Sequence, residues 1–139
     1  MGWTIKSGCG ASGSSGVRAI LDTNVVIYLQ KGWLEDPLPP GEYLISVVTE
    51  IELLSFSGLD VEQRSWLQRL IDDLEVVEID MAVKQCAIAL RRDHHLKLPD
   101  ALIAATALTR AAVLLTNDAQ LANLPGLRCQ ALKLREHGE

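Results

Sequence analysis

The sequence predicts a three-layer α/β/α domain built on a mainly parallel sheet of four or five strands. Short apolar runs alternate along the chain with longer segments in which apolar residues recur at helical spacing. This alternation is typical of parallel strands joined by crossover helices that cover both faces of the sheet. The composition agrees, because 48% of the 139 residues are hydrophobic and 22% are charged, which indicates a well-buried domain and excludes a disordered chain.

The strands are predicted where short, branched apolar runs end on polar residues, as in strands buried on both faces. These runs are residues 19–21, 43–45, 76–79 and 113–115, with 127–132 as a candidate fifth strand. Right-handed crossovers bring the carboxyl ends of parallel strands to one edge of the sheet. We therefore expect Asp22, after the first strand, and Asp118, after the fourth, to lie on the same rim.

Each predicted helix begins at a residue that can cap it. The helices are 25–29 after Thr23 or Asn24, 47–56 after Ser46, 61–74 after Asp60, one from Asp80 towards His95, and 101–112 after Pro99 and Asp100. The last of these is rich in alanine and apolar nearly all round, so it should be buried closely against the sheet. The connection over residues 31–42 contains two glycines and three prolines, which predicts extended or turn-like backbone.

Charge and cysteine usage restrict the classes of function. A net charge of -5 argues against a broad electrostatic binder of nucleic acid, whose affinity depends on many Lys and Arg contacts to phosphate. Cys9, Cys86 and Cys129 are far apart and have no metal-binding or redox spacing, which favours free thiols in a reducing, cytoplasmic compartment. The longest apolar run, 101–108, is too short to span a bilayer, so we expect a soluble protein with no membrane partner.

The first sixteen residues differ in composition from the rest. Residues 1–16 are rich in Gly and Ser and lack the apolar core of a signal peptide, so they are interpreted as a flexible leader added for expression. Residues 17–139 are interpreted as one domain, since the length leaves no room for a second core.

Carboxylates recur at the predicted ends of elements. In addition to Asp22 and Asp118, Glu50 and Glu52 lie on the helix after the second strand, and Asp100 begins the buried helix. Taken singly, each acid is explained as a helix cap or a solvated residue. Together on one edge they would repel each other and have raised pKa values unless a cation neutralised them. Oxygen ligands favour Mg²⁺ or Mn²⁺ over zinc, and such a metal can activate water for hydrolysis of a phosphodiester.

Four motifs carry a family resemblance. The runs ILDTNVVIYL, ISVVTEIELL, LPDALIAATAL and LLTNDAQLANLPGL occur in this order and together resemble the PIN-domain family, in particular the VapC-type toxins of toxin-antitoxin pairs. The resemblance covers nearly all of residues 17–132. It implies a Mg²⁺- or Mn²⁺-dependent endoribonuclease that cleaves structured RNA such as tRNA or rRNA to leave a 5'-phosphate. It also implies a cognate antitoxin as partner and a homodimer. In relatives the region of helix 61–74 is frequently part of a dimer or antitoxin groove, and an ordinary core stripe explains its apolar positions as well.

The resemblance implies a role for individual residues. By their positions in the family motifs, the residues that match the catalytic and metal-binding acids are Asp22, Glu52, Asp100 and Asp118, and those that match the supporting polar residues are Thr23, Asn24, Thr116 and Asn117. Helical periodicity alone leaves Glu50 as an alternative to Glu52, because both flank the same apolar face. The chain departs from many relatives at Pro99, which precedes Asp100, and at Gln120, where relatives often have an acid, so a second metal site is in doubt.

Other interpretations remain open at the level of the sequence. Arg91, Arg92 and Lys97 belong to a basic run, with His94 and His95, that is explained either as a solvated helix end or as a contact to RNA phosphates. A phosphatase of the haloacid-dehalogenase type is a weaker alternative, because it needs a second Asp where this chain has Asn24. The non-enzymatic alternative is a module of the same fold that docks a protein or RNA partner without turnover.

Overall fold

The structure, a computed structural model, describes residues 17–136. Its elements in chain order are β1 (Val17–Leu21), α1 (Thr23–Lys31), β2 (Gly41–Ser46), α2 (Val47–Ser55), α3 (Val61–Asp73), β3 (Glu75–Val77), α4 (Met81–His94), α5 (Leu98–Thr109), β4 (Val113–Leu115), α6 (Ala119–Ala122) and β5 (Cys129–Gln130). The five strands form one sheet in the order β3-β2-β1-β4-β5, and every neighbouring pair is parallel. The predicted three-layer α/β/α fold is confirmed, whereas the predicted leader at residues 1–16 lies outside the described residues.

Two apolar cores cover the two faces of the sheet, because successive strand residues point to opposite sides. On one face Ile20, Leu44 and Leu114 pack with buried residues of α4 and α5. On the other face Leu21 and Ile45 pack with buried residues of α1 and α3. Strands buried on both faces explain why the sequence shows continuous apolar runs instead of alternation.

Helix α5 is the most deeply buried helix of the described chain. Ala101, Ala104, Ala105 and Ala107 are fully inaccessible to solvent, so the helix approaches the sheet closely, as its alanine content predicts. Its predicted range is wrong by three residues at each end, since it spans Leu98–Thr109 instead of 101–112. Pro99 is accommodated within the first turn, where its missing N–H is not needed, so the helix can begin before it.

The start of α1 also differs from the prediction. Asp22 is the cap, and its side chain accepts a hydrogen bond from the Thr23 backbone N–H, so the predicted caps Thr23 and Asn24 are already helical. Asp and Asn cap helices equally well, and the sequence alone does not decide between adjacent candidates. Gly32 ends the helix with a φ of 69°, a left-handed conformation that glycine adopts without strain.

The C-terminal part of the described chain departs most from the sequence prediction. β5 contains two residues instead of the six of 127–132, and the short helix α6 was not predicted. After β5 the chain turns to run beside residues 33–35, and Glu35 N–H donates to the Lys133 carbonyl at 2.9 Å. None of the helices within 17–136 combines the length and the apolarity that crossing a bilayer requires.

Candidate functional site

The strand order reverses at the centre of the sheet, between β1 and β4. β1 pairs with β2 on one side and with β4 on the other. The carboxyl ends of β1 and β4 are directly linked, because the Asp22 backbone N–H donates to the Leu115 carbonyl at 3.1 Å. Open parallel sheets bind ligands in the crevice outside such a switch point. The residues that follow these two strands therefore lie where the fold favours a binding site.

Asp22 lies at the centre of this edge and is only 6% exposed. One carboxylate oxygen, Oδ1, accepts from the Thr23 backbone N–H at 2.8 Å, and Oδ2 accepts from the Thr116 hydroxyl at 2.6 Å. Burial raises the pKa of Asp22 above its ordinary value, the two hydrogen bonds oppose this change, and the charges of Asp118 and Glu52 add to it. The site therefore holds a buried carboxylate beside other negative charges.

Thr116 joins Asp22 to the acid that follows β4. Its side chain is 2% exposed, and the oxygen that donates to Asp22 also accepts from the Asp118 backbone N–H at 3.0 Å. Asp118 caps α6 by accepting from the Gln120 backbone N–H through Oδ1 at 2.9 Å. Capping occupies one oxygen of Asp118, and its charge raises the pKa of both Asp22 and Asp100.

Glu52 reaches the site from α2. Its Oε1 accepts from the Thr23 hydroxyl at 2.7 Å, and its charge contributes to the raised pKa of Asp22 and of Asp100. Glu50 lies on the same helix, but no contact within 17–136 links it to the acids of the site. The structure therefore brings together Glu52, and not Glu50, with Asp22.

Asp100 approaches from the first turn of α5 and is half-buried. Burial raises the pKa of its carboxyl group, and the charges of Asp118, Asp22 and Glu52 raise it further, whereas Lys97 lowers it. Within the described residues its side chain accepts no hydrogen bond. The four predicted acids are thus close enough to influence one another, although they come from four different parts of the chain.

Negative charge at this edge is not neutralised by ion pairs of the described residues. The ion pairs within 17–136 are Arg18–Glu42, Arg92–Asp93 and Arg110–Glu75, and none of them includes an acid of the site. The donors are carboxylate and hydroxyl oxygens, which suit Mg²⁺ or Mn²⁺. No three His, Cys, Asp or Glu side chains of the described chain already enclose a metal position.

Comparison with known families identifies the domain. The family model described as the PIN domain matches residues 19–127, a range that contains all four acids. The chain belongs to the PIN-domain family. A search of curated proteins finds no match.

Solved structures resemble this PIN domain along most of its length. A toxin-antitoxin complex from Klebsiella pneumoniae is 27% identical with a TM-score of 0.64, and the match covers 78% of this chain and 94% of that chain. DNA-bound VapBC from Salmonella typhimurium is 21% identical with a TM-score of 0.69, covering 83% and 98%. VapBC-1 from nontypeable Haemophilus influenzae is 23% identical with a TM-score of 0.67, covering 83% and 98%. At 21% and 23% identity, the last two similarities show the fold alone.

Two of the predicted supporting residues of the PIN domain do not contact the carboxylates of the site. Asn117 accepts from the Leu132 backbone N–H at 2.7 Å and donates to the Leu132 carbonyl at 3.1 Å, so it fastens the C-terminal segment to the end of β4. Asn24 lies exposed in the first turn of α1. Thr23 and Thr116 are the two supporting residues that contact carboxylates of the site.

The basic residues before α5 divide into two groups. Arg91 donates through Nε to the Leu96 carbonyl at 3.2 Å, which stabilises the turn between α4 and α5, and Arg92 forms an exposed ion pair with Asp93. Lys97 precedes α5 and acts electrostatically on Asp100. Among the basic residues of this run, Lys97 is the one whose charge lowers the pKa of a site acid.

Proposed function

We propose that this PIN domain, formed by residues 17–139, is a divalent-metal-dependent endoribonuclease and the toxin of a VapBC-type pair. The observation that carries the proposal is the group of four mutually repelling carboxylates at the switch point of the sheet. Two of them, Asp22 and Asp100, have pKa values raised by burial and by the other acids. Such an arrangement is costly in the absence of a cation and is what a metal-binding site requires.

Each residue of the site has a proposed role. Asp22, Glu52, Asp100 and Asp118 would hold Mg²⁺ or Mn²⁺, an ion that would supply activation of water and stabilisation of negative charge on a phosphate. The Thr116 hydroxyl and the Thr23 backbone N–H hold the Asp22 carboxylate in one orientation. Because Asp22 is almost fully buried, it has little freedom to turn away from the site.

Substrate binding is proposed to use local positive charge at the edge of the acid cluster. The chain as a whole carries a net charge of -5, so general attraction of RNA is weak. Lys97 lies beside Asp100, and the exposed end of α4 adds Arg92. These side chains are proposed to contact phosphates that flank the bond to be cleaved, whereas Arg91 serves mainly to hold the turn before α5.

The proposed partners are a cognate antitoxin and a second copy of this chain. Support comes from the solved structures of similar fold, several of which are named as toxin-antitoxin or VapBC complexes. Large apolar side chains are also exposed on α2, after it and at the start of α3, namely Ile51, Phe56 and Val61, with exposures of 58%, 62% and 85%. Exposed apolar side chains of this kind suit contact with proteins. The proposed location is the cytoplasm, where RNA and an antitoxin are both available.

The test is cleavage of purified RNA. The protein is incubated with tRNA and with total RNA, with Mn²⁺ or with a chelator, beside the variant Asp22→Asn. Cleavage that requires the metal and falls at least about 100-fold in the variant would support the proposal, since the variant lacks a metal ligand. Product ends are then mapped for a 5'-phosphate.

Two results would contradict the proposal. Equal degradation by both proteins in the presence of chelator would identify a contaminating nuclease. Absence of cleavage of every RNA, with folding verified by circular dichroism, would favour the docking module instead. The matched control is the variant Asp36→Asn, because Asp36 lies in a loop and has no contact to the four acids. This variant should cleave RNA as the unmodified protein does.

A further inference from the structure

Thr49 is a fully buried polar residue in the helix that carries Glu52. Its exposure is 0%, and its hydroxyl oxygen lies 3.0 Å from the hydroxyl oxygen of Thr23 on α1. The Thr23 hydroxyl in turn lies 2.7 Å from Glu52 Oε1. Thr49 therefore touches no carboxylate of the site directly, but it is connected to Glu52 through one intervening hydroxyl.

The direction of the two hydrogen bonds follows from counting protons. An ionised carboxylate only accepts, so the single hydroxyl proton of Thr23 is directed to Glu52. The hydrogen bond between the two threonines must then use the proton of Thr49. The order is fixed as Thr49 to Thr23 to Glu52, and such chains strengthen each of their hydrogen bonds.

Two threonines of helix α5 bond differently from Thr49. A threonine within a helix commonly donates to a carbonyl one turn earlier in its own helix. In α5, Thr106 does so to Leu102 at 2.7 Å and Thr109 does so to Ala105 at 2.9 Å. Thr49 instead directs its hydroxyl across to α1, which is the contact that supports the Thr23 hydroxyl.

Glu52 needs such support because it is an exposed, long side chain. A glutamate side chain free in solvent occupies many rotamers. The entropy lost when one rotamer is fixed opposes the binding of a ligand to its carboxylate. We propose that Thr49 is a positioning residue that fixes the Glu52 carboxylate towards Asp22 by holding the Thr23 hydroxyl in its donating orientation. The consequence for metal affinity depends on the proposed function, whereas the orientation of Glu52 does not.

Two substitutions distinguish the contribution of the Thr49 hydroxyl from that of the side chain's shape. Thr49→Val keeps the volume and removes the hydroxyl, whereas Thr49→Ser keeps the hydroxyl and removes a buried methyl group. Thr106→Val removes a buried hydroxyl that donates within its own helix and is the matched control. Thermal unfolding of each variant verifies folding, and Thr49→Ser is expected to lose thermal stability because of the cavity.

The deciding measurement is the carboxyl carbon resonance of Glu52 by NMR in the metal-free protein, assigned by comparison with Glu52→Gln. We expect the resonance to shift or broaden in Thr49→Val and to remain unchanged in Thr49→Ser and Thr106→Val. Calorimetry with Mn²⁺ alone should then show affinity about 10-fold weaker in Thr49→Val, as is typical when support of a metal ligand is lost, and unchanged affinity in Thr49→Ser.

An unchanged Glu52 resonance in Thr49→Val would overturn the proposed role of Thr49, whether or not the protein cleaves RNA. Equal disturbance in Thr49→Ser and Thr49→Val would also overturn it, because a role in packing alone would then suffice. If the resonance responds as expected but the unmodified protein neither binds Mn²⁺ nor cleaves RNA, the nuclease function fails while the positioning role stands.

Discussion

Two threonine residues connect three acidic residues of the site. Thr23 gives its hydroxyl to Glu52 and its backbone N–H to Asp22, and Thr116 gives its hydroxyl to Asp22 while accepting from the Asp118 backbone. Neutral donors of this kind orient carboxylates without removing their mutual repulsion. These carboxylates are therefore oriented by hydrogen bonds, while no ion pair within residues 17–136 includes them.

The Thr116 hydroxyl is predicted to stabilise the fold as well as the site. Thr116→Val leaves the Asp118 backbone N–H without its acceptor and removes a donor from buried Asp22. We expect a loss of about 1–3 kcal/mol in the free energy of unfolding, the range for leaving buried polar groups unpaired. Urea denaturation measures it.

Two controls accompany this substitution. Thr116→Ser keeps the hydroxyl and should recover most of the loss. Thr106→Val removes a buried hydroxyl that serves only its own helix and should cost less than Thr116→Val. A smaller loss in Thr116→Val than in Thr106→Val would mean that the link between Asp22 and Asp118 contributes nothing to stability.

Asp100 is predicted to destabilise the metal-free protein at neutral pH. Its pKa is raised in the folded state, so the folded protein binds a proton more readily than the unfolded chain, and stability from this group falls as pH rises through that raised value. Asp100→Asn should therefore stabilise the metal-free protein at pH 7, by about 0.5 kcal/mol after solvent screening of a half-exposed group is allowed for.

The pH dependence of this stabilisation tests whether ionisation of Asp100 causes it. Below the ordinary carboxyl pKa of 3.8 both states are protonated, so the advantage of Asp100→Asn should disappear as pH falls towards that value. Chemical denaturation between pH 7 and pH 3.5 measures the difference, with the exposed Glu136→Gln as control. An advantage that is independent of pH would point to a cause other than ionisation.

At the scale of elements, two helices begin at residues of the site. Asp22 caps α1 and Asp118 caps α6, so the same carboxylates satisfy backbone N–H groups and face the cluster. The sequence therefore supports both a structural and a chemical interpretation of these acids, and the structure shows that the two interpretations are compatible.

Local patterns predicted most of the strands and helices but not the C-terminal part. Buried apolar runs such as 19–21 and 113–115 have few alternatives to a central strand, and Ser46, Asp60 and Asp80 each cap the predicted helix. Residues after 118 depend on distant partners instead, since Asn117 binds residue 132 and Lys133 binds Glu35. Periodicity within a short window contains no information about such contacts.

The residues of the site likewise divide into those that topology or a motif predicts and those that depend on distant contacts. Asp22 and Asp118 could be predicted to share a rim because topology alone brings strand ends together. The choice of Glu52 over Glu50 came from family resemblance, and in the structure it depends on the Thr23 hydroxyl, 29 residues away along the chain. Thr49 belongs to the run ISVVTEIELL that carries the family resemblance, but the sequence assigns it no role, so its contact with Thr23 required the structure.

Asn117 is predicted to act on the C-terminal segment and not on metal binding. Asn117→Ala removes both hydrogen bonds to Leu132 and should cost about 1–2 kcal/mol in the free energy of unfolding. Hydrogen exchange of residues 131–135 should accelerate by at least about 5-fold, because the segment opens locally. Mn²⁺ affinity measured by calorimetry should stay unchanged, and a loss as large as that of Asp22→Asn would place Asn117 in the metal site instead.

At the scale of the whole molecule, a bound cation should raise thermal stability. A ligand that binds only the folded state at 100 times its dissociation constant adds about 2.7 kcal/mol, which corresponds to a rise of roughly 10 °C in melting temperature for a domain of this size. Scanning fluorimetry during Mn²⁺ titration measures it. Asp22→Asn should show little of this rise, and equal rises in both proteins would indicate a metal site elsewhere.

The pairing of β1 with β4 also has a consequence for protein synthesis. The hydrogen bond from Thr116 to Asp22 joins residues 94 positions apart, and at about 5–20 residues per second a ribosome needs roughly 5–20 s to make the intervening chain. Until β4 has emerged, β1 lacks its central neighbour, and Asp118 has not yet been made when Asp22 is already free of the ribosome. Under the proposed function, a nascent chain carries no complete cleavage centre until residue 118 has been made and β4 has paired with β1.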